Sequence, residues 1–216
     1  MSAMPKVSKQ YLEARCSEIL DAAVVCFARS GFHKATMRDI VRESGMSAGA
    51  IYNLFSSKQD IVAAIASRRH EEERRIFEEA RKQPTLAKSL EDIRDHFLSD
   101  LNNPRQRMRR RVTVQLWAEA QHDAKLQKVA RDSFAKPYKL LRDLLTEGQR
   151  RGEIARRIDA GAMARFLIAA FHGLVLQTEW DERLLIKTQL DIFNVLLLAA
   201  TRPESHLALP DGAAGC

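Results

Sequence analysis

Gly45 stands between two short runs of helical spacing, Met37–Ser44 and Ala48–Phe55, and each run is preceded by a residue suited to start a helix. Glycine reaches positive φ without steric cost, so a chain that turns within two or three residues favours it there. Thr36 lies just before the first run and can accept from its free N–H groups. Asp39, three residues on, completes a capping-box pattern and adds negative charge to the first turn. Met37, Ile40 and Val41 share one helical face, while Arg38, Arg42 and Glu43 share the other. Met46 then plugs the corner and Ser47 caps the second run. Ile51, Leu54 and Phe55 supply an inner face, whereas Ala48, Gly49 and Ala50 leave the first turn almost bare. Ser56 and Ser57 break the pattern and cap a further helix that begins near Lys58. Such a stretch folds as two short helices at a fixed angle, and little else is open to it.

Two capped helices around a Gly turn are the sequence form of a helix-turn-helix, which lays its second helix in the major groove of duplex DNA. A plain helical corner is the alternative. The small-residue first turn, the phenol of Tyr52 and the charge of Lys58 favour the groove-reading form. A protein on DNA must place donors on phosphates and a close-packed surface on bases. Tyr52 offers a hydroxyl on a stiff ring. Lys58 offers charge at a helix N-terminus, whose own N–H groups also attract phosphate. Ala48 can only meet a thymine methyl or avoid a clash. Arg38 is the side chain best suited to a bidentate guanine contact. Side-chain readout is thin, which leaves room for recognition of DNA shape.

The ordered series G-F-x-x-A-T-M-R-D-I, then G-M-S-x-G-x-I-Y-x-x-F-x-S-K, resembles the DNA-binding domain of the tetracycline-repressor (TetR) family. Ile19, Ala22, Ala23, Phe27, Gly31 and Phe32 extend the likeness upstream. The resemblance implies that Thr36 and Arg38 touch backbone or a groove edge. It implies that Ser47, Ala48 and Gly49 face bases, and that Tyr52 and Lys58 hold phosphates. Leu54 occupies a position where many relatives carry His or an aromatic ring, and Asn53 is the donor that can substitute. Further on, QLWAEA, LLTEGQRRGEI and FHGLVLQ resemble the C-terminal domain of choline-responsive, BetI-like members.

Apolar residues recur at helical spacing nearly throughout, and only 9 Gly and 6 Pro interrupt 216 residues. The expectation is an all-α chain of roughly nine helices: an N-terminal three-helix helix-turn-helix domain over residues 1–57, then a six-helix dimerisation and effector-binding domain over 58–201, with 202–216 an aperiodic tail. Residues 1–9 read as a basic arm, either unstructured or reaching an adjacent minor groove. The spacing predicts helices from Tyr11 to Ser30, ending at Gly31; from Lys58 to about Lys82; from Leu86 to Leu101; from Arg105 to about Gln121; from Ala124 to Arg151, kinked by Pro137 inside it; from a cap at Asp159 to Trp180; and from about Arg183 to Thr201. The basic run Arg105–Arg111 opens a helix against the macrodipole. It reads as a solvated face or as a tie to the DNA-binding domain.

The final predicted helix is apolar nearly all round and must be covered on every side. The helix before it carries the small residues Gly161, Ala162, Ala164, Ala169, Ala170 and Gly173. Together they read as a four-helix bundle between two protomers, through Phe171, Leu174, Leu190, Phe193 and Leu197, or as the core of a monomer. Two-fold symmetry suits a palindromic operator. Phe97, Trp117, Phe134, Tyr138 and His172 are the candidate effector contacts. They offer an apolar lining with polar tips on Tyr138 and His172, and they lie on helices that enclose a cavity in proteins of the resembled family.

The expected function is a dimeric regulator, most simply a repressor released by a small apolar or amphipathic effector. The alternative is a regulator whose second domain only dimerises. The net charge of +7 suits a polyanionic partner, although most of the excess lies beyond residue 60. No metal-ligand spacing, nucleophile–base pair or phosphate loop is evident, so neither catalysis, a cofactor nor a metal is expected. Cys16 and Cys26 fall on one helix roughly 15 Å apart, too far for a disulfide. That spacing and an odd cysteine count suit a reducing, cytoplasmic setting. The longest apolar run, Phe166–Leu176, is too short to span a bilayer.

Overall fold

Each helix of the computed structural model begins at a side chain that accepts a backbone N–H, and these caps set the architecture. The structure describes residues 8–99, 103–181, 184, 188, 189, 192 and 195. Among them are eight helices and no strand: α1 (Lys9–Lys34), α2 (Met37–Ser44), α3 (Ala48–Leu54), α4 (Lys58–Ala80), α5 (Leu86–Ser99), α6 (Pro104–Glu119), α7 (Ala124–Arg150) and α8 (Ala160–Trp180). The caps are Ser8, Thr36, Ser47, Ser57, Thr85, Asn103, Asp123 and Asp159. Each satisfies an N–H that the first turn leaves without an intrahelical partner. Of the helix expected from Arg183 to Thr201 only residues 184, 188, 189, 192 and 195 are described; Leu190, Phe193 and Leu197 lie outside the described residues, as do residues 1–7 of the arm and the tail.

The end of α1 and the composition of α8 add detail to the expected pattern. α1 resumes for one turn after Gly31, whose φ of 80° and ψ of 156° break the ladder. The chain leaves that glycine in a new direction for one further turn to Lys34, so the regular helix ends at Gly31 as expected. α8 carries the run Phe166–Leu176 within 21 helical residues; an 18-residue window of it, which includes Arg165 and His172, has a mean hydropathy of 1.4, apolar enough to cross a membrane by length and composition alone.

The chain forms two compact units, residues 1–76 with 95–137, and residues 77–94 with 138–216. In the first, Ile19, Ala23 and Phe27 of α1, Ile40 of α2, Ile51 of α3 and Ile61 of α4 are fully buried. Val112, Leu116 and Ala120 of α6 and Leu126 of α7 complete the same cluster. The apolar packing therefore does not stop at residue 57.

In the second unit, Leu86, Leu144 and Leu145 are fully buried. Gly148 lets α7 approach α5, because a Cβ there would collide with the Leu86 side chain. Ser89, also buried, donates to the Ala80 carbonyl at 2.8 Å and closes the α4–α5 turn. The Leu86 N–H donates to the Glu153 carboxylate, which ties the start of α5 to the turn after α7. α7 stays helical across Pro137, the residue at which the two units divide.

Phe27 fills the centre of the first unit, with the Phe32 ring 5.5 Å away. Phe27→Ala is expected to lower unfolding stability by about 3–5 kcal/mol, read from denaturant midpoints.

Candidate nucleic-acid interface

α2 opens on a complete capping box. Thr36 Oγ1 accepts from the Asp39 N–H at 3.2 Å, and Asp39 Oδ2 accepts from the Thr36 N–H at 2.9 Å and from its hydroxyl at 2.7 Å. These hydrogen bonds, those from Thr36 first, hold the Asp39 carboxyl below the usual carboxylate range. Arg42 closes on the same carboxylate at 2.7 Å. Gly45 ends the helix at φ 67° and ψ 9°, the left-handed conformation that its missing Cβ makes accessible. Met46 follows, half-buried against the core, and its N–H donates to Ser44 Oγ at 3.3 Å.

Ser47 accepts from the Ala50 N–H at 3.2 Å and starts α3. This seven-residue helix has one buried anchor, Ile51, and Phe55 is buried just past its end. Everything else on it is exposed: Ala48, Gly49, Ala50, Tyr52, Asn53 and Leu54. Tyr52 is 51% exposed, with its hydroxyl end free to extend from a rigid ring. A Cβ at Gly49 would meet nothing, so the first turn is open as well as small. Thr36, Arg38 and Ser47 are also exposed, so the structure brings these candidates together around one corner.

Lys58 is turned the other way. Its Nζ donates to the Phe32 carbonyl at 2.6 Å, reaches the His33 carbonyl at 3.4 Å and lies 4.5 Å from the Phe32 ring centre. Burial pushes its pKa below the ordinary lysine value, while the nearby Glu119 charge opposes that shift. The ammonium expected on a phosphate thus holds the carbonyls at the end of α1, where a cation is favoured by the helix dipole.

That joint belongs to a longer seam which sequence reading missed. The Phe32 N–H, freed by the break at Gly31, donates to Gln115 Oε1 of α6 at 3.2 Å. His33 Nε2 lies 3.0 Å from Glu119 Oε2. Gln59 of α4 donates to Asp123, the cap of α7, at 3.0 Å. Arg109 reaches Asp21 of α1 at 3.5 Å and Glu72 of α4 at 3.8 Å. Of the two readings of the basic run, Arg109 therefore supports a tie to α1. These partners lie far apart in sequence, and no local periodicity marks them.

The effector candidates divide between the two units. In the first, Trp117 and Phe134 stack with ring centres 5.2 Å apart and planes at 30°. Phe97 is half-buried beside the His96 ring. In the second, Tyr138 is covered by the Arg165 guanidinium at 4.4 Å and by Arg142 at 5.7 Å, and its hydroxyl packs against Gly161. His172 lies 5.8 Å from Phe171. On α8, Phe171 shares the side of Ala164, Leu167 and Val175, so it faces inward, and Leu174 flanks that side half-buried. The outward stripe runs through Ala162, Phe166, Ala169, Gly173, Gln177 and Trp180, with Phe166 61% and Trp180 74% exposed. Helical phase could have separated Phe166 from Phe171.

Comparison with known proteins agrees with this geometry. Residues 19–65 match the model of bacterial regulatory proteins of the tetR family, and residues 87–185 match that of the BetI-type transcriptional repressor C-terminal domain. The chain belongs to the TetR family of transcriptional regulators. It is 33% identical over 99 residues to the uncharacterised regulator YfiR of Bacillus subtilis, covering 46% of this chain and 48% of that protein. It is 48% identical over 63 residues to the repressor Rv1474c of Mycobacterium tuberculosis, covering 29% of this chain and 34% of that one. The matches thus span about half or less of these curated relatives. The SmeT–triclosan complex, SmeT being the repressor of a Stenotrophomonas maltophilia efflux pump, superposes with a TM-score of 0.73 at 21% identity, over 92% of this chain and 96% of that one. The family is one of DNA-binding regulators, not of enzymes.

A side chain at Gly45 meets the backbone constraint rather than any neighbour. Gly45→Val is expected to lose about 1–3 kcal/mol of stability in denaturant titrations, because a β-branched residue is strained at positive φ.

Proposed function

We propose that this protein is a homodimeric, cytoplasmic repressor that reads a palindromic operator and leaves it when a small effector binds. The observation that carries the reading is the outward face of α3, small over its first turn and fixed by the Gly45 corner. Ser47, Ala48 and Gly49 approach base edges. Thr36, Arg38, Tyr52 and Asn53 set the register on backbone and groove edge. With few side chains suited to base-specific bonds, groove width and flexibility contribute to specificity.

Two copies are needed because one short helix covers only a few base pairs, and half-sites recur at about one helical turn or a multiple of it. The outward stripe of α8 supports such pairing. Its small residues allow a second helix close, and its exposed Phe166 and Trp180 leave apolar area for a partner to cover. Ile192 and Val195, 59% and 64% exposed, add further exposed apolar area after α8 in the sequence. The effector reading draws support from the fold neighbour solved with triclosan, and from the stacked pair Trp117–Phe134. A ligand that displaces α6 would pull on α1 through Gln115 and Glu119, and so alter how two reading heads fit the groove.

Tyr52→Phe is expected to weaken binding to the operator and to random duplex by a similar factor, about five- to tenfold for one lost phosphate hydrogen bond, in fluorescence anisotropy at fixed salt. A loss confined to the operator would move Tyr52 from phosphate to base. Phe166→Glu is expected to yield monomers by light scattering and to lose operator binding; an intact dimer would place the interface elsewhere.

A further inference from the structure

Glu73 is the most unusual buried group in the described chain. It sits on α4 in the first unit and is only 4% exposed. Its Oε1 accepts from Arg69 Nε at 2.8 Å, while its buried Oε2 accepts no hydrogen bond among the described residues. A carboxylate without solvent needs both oxygens satisfied, and an orphaned oxygen costs the fold a desolvation penalty that nothing returns. Arg69 does not supply the second bond, because its Nη1 is directed to Thr113 Oγ1 of α6 at 3.4 Å. The pair is held by one N–H rather than by the two-pronged grip that guanidinium and carboxylate can form.

The surroundings bear on what could meet that oxygen. On α4 itself, Arg69, His70 and Glu72 neighbour Glu73. From α6, Arg109 reaches Glu72 at 3.8 Å. From α7, Lys136 lies 3.2 Å from His70 Nδ1 and 3.9 Å from Asp132. Burial raises the Glu73 pKa first, and Glu72 adds to it; Arg69 and Lys136 oppose the shift. Burial also drives His70 down to about 4, with Lys136 and Arg69 reinforcing it, so this imidazole is neutral at physiological pH. The stacked rings of Trp117 and Phe134 lie on the same two helices, one turn along α6 from Thr113 and two residues before Lys136 on α7. Phe134 and Lys136 are exposed and His70 is half-buried, so this cluster has a side open to solvent.

We infer that Glu73 Oε2 is the recognition point for the ammonium or amidinium of a small aromatic cation, with the Trp117–Phe134 stack as the surface for its ring. This deepens the proposed effector response and rests on it only for the consequence on DNA. The cation's N–H groups complete the carboxylate, and an aromatic face adds attraction for positive charge. Binding favours the ionised form of Glu73, so uptake of the ligand releases the proton that burial otherwise tends to retain.

The test uses the full-length protein and three probes in isothermal titration: benzylamine, benzyl alcohol and benzyltrimethylammonium, the last charged but without an N–H. Benzylamine is expected to bind about ten- to hundredfold more tightly than benzyl alcohol, with the quaternary probe between them. Its affinity should fall as pH is lowered, and its heat should vary with buffer ionisation in the sense of proton release. Glu73→Gln keeps an acceptor for Arg69 and should abolish both the preference and the proton release. Equal binding of amine and alcohol overturns the inference, as does a preference that survives Glu73→Gln, or no saturable binding by any probe. Should the variant not fold, the ranking of the three probes and the buffer dependence on the wild-type chain still decide. Operator release is scored separately. Cation binding that leaves the DNA complex intact keeps the site and removes the effector reading. Release by benzyl alcohol in a Glu73-independent manner keeps the effector reading and removes this site.

Discussion

The cluster around Phe27 determines what α2 and α3 can do. Ile40 and Ile51 are the fully buried anchors of two helices too short to stand alone, and both belong to this cluster. An isolated seven-residue α3 would not persist in water, so its outward face exists only because Ile51 is held inside. The same cluster takes Val112, Leu116 and Ala120 from α6. Any displacement of α6 therefore disturbs the packing that orients α3, whether or not a polar contact links them.

Polar contacts sharpen that coupling. Gly31 breaks the α1 ladder and frees the Phe32 N–H, which Gln115 accepts. The Phe32 carbonyl then takes the Lys58 ammonium. One residue thus binds α6 through its donor and α4 through its acceptor. A lysine at this place ties the start of α4 to the end of α1. The excess of Lys and Arg lies mostly outside the reading head.

Local chemistry made the helices legible. Ser47, Ser57, Asp123 and Asp159 precede apolar periodicity in the sequence and act as caps in the structure. The expected starts of α2, α3, α4, α5 and α7 coincide with the observed ones, because a cap is decided within four residues. The corner at Gly45 is equally plain, since a glycine at that spacing takes the positive φ the turn requires. Lys58 has two possible partners, a phosphate and the α1 carbonyls, and both suit an ammonium at that place. Which one it meets depends on the bend at Gly31, twenty-seven residues upstream. Gln115, Glu119 and Asp21 carried no local signal at all, for a polar residue on a helix reads as solvated until its neighbour is known. Phe171 and Phe166 were confusable for a simpler reason: composition marked α8 as a packing helix, and only its phase against Leu167 and Val175 decides which ring is outward.

The contrast between Lys58 and Glu73 shows how burial separates structure from recognition. Lys58 is partly buried, yet two carbonyls and a ring face meet its charge, so its environment is complete within the fold. Glu73 is more deeply buried and less well met. If α4 needed Arg69–Glu73 only as a brace, a two-pronged pair or an apolar pair of similar volume would hold the helix at lower cost. The geometry instead leaves Arg69 stretched between Thr113 and one carboxylate oxygen. A carboxyl held under those conditions adds little to the fold by itself. It acquires a favourable role when a donor arrives from outside, and α4 is the helix whose first residue, Lys58, grips the end of α1. Glu73 and the Lys58 ammonium that holds the end of α1 thus stand on a single helix, fifteen residues apart.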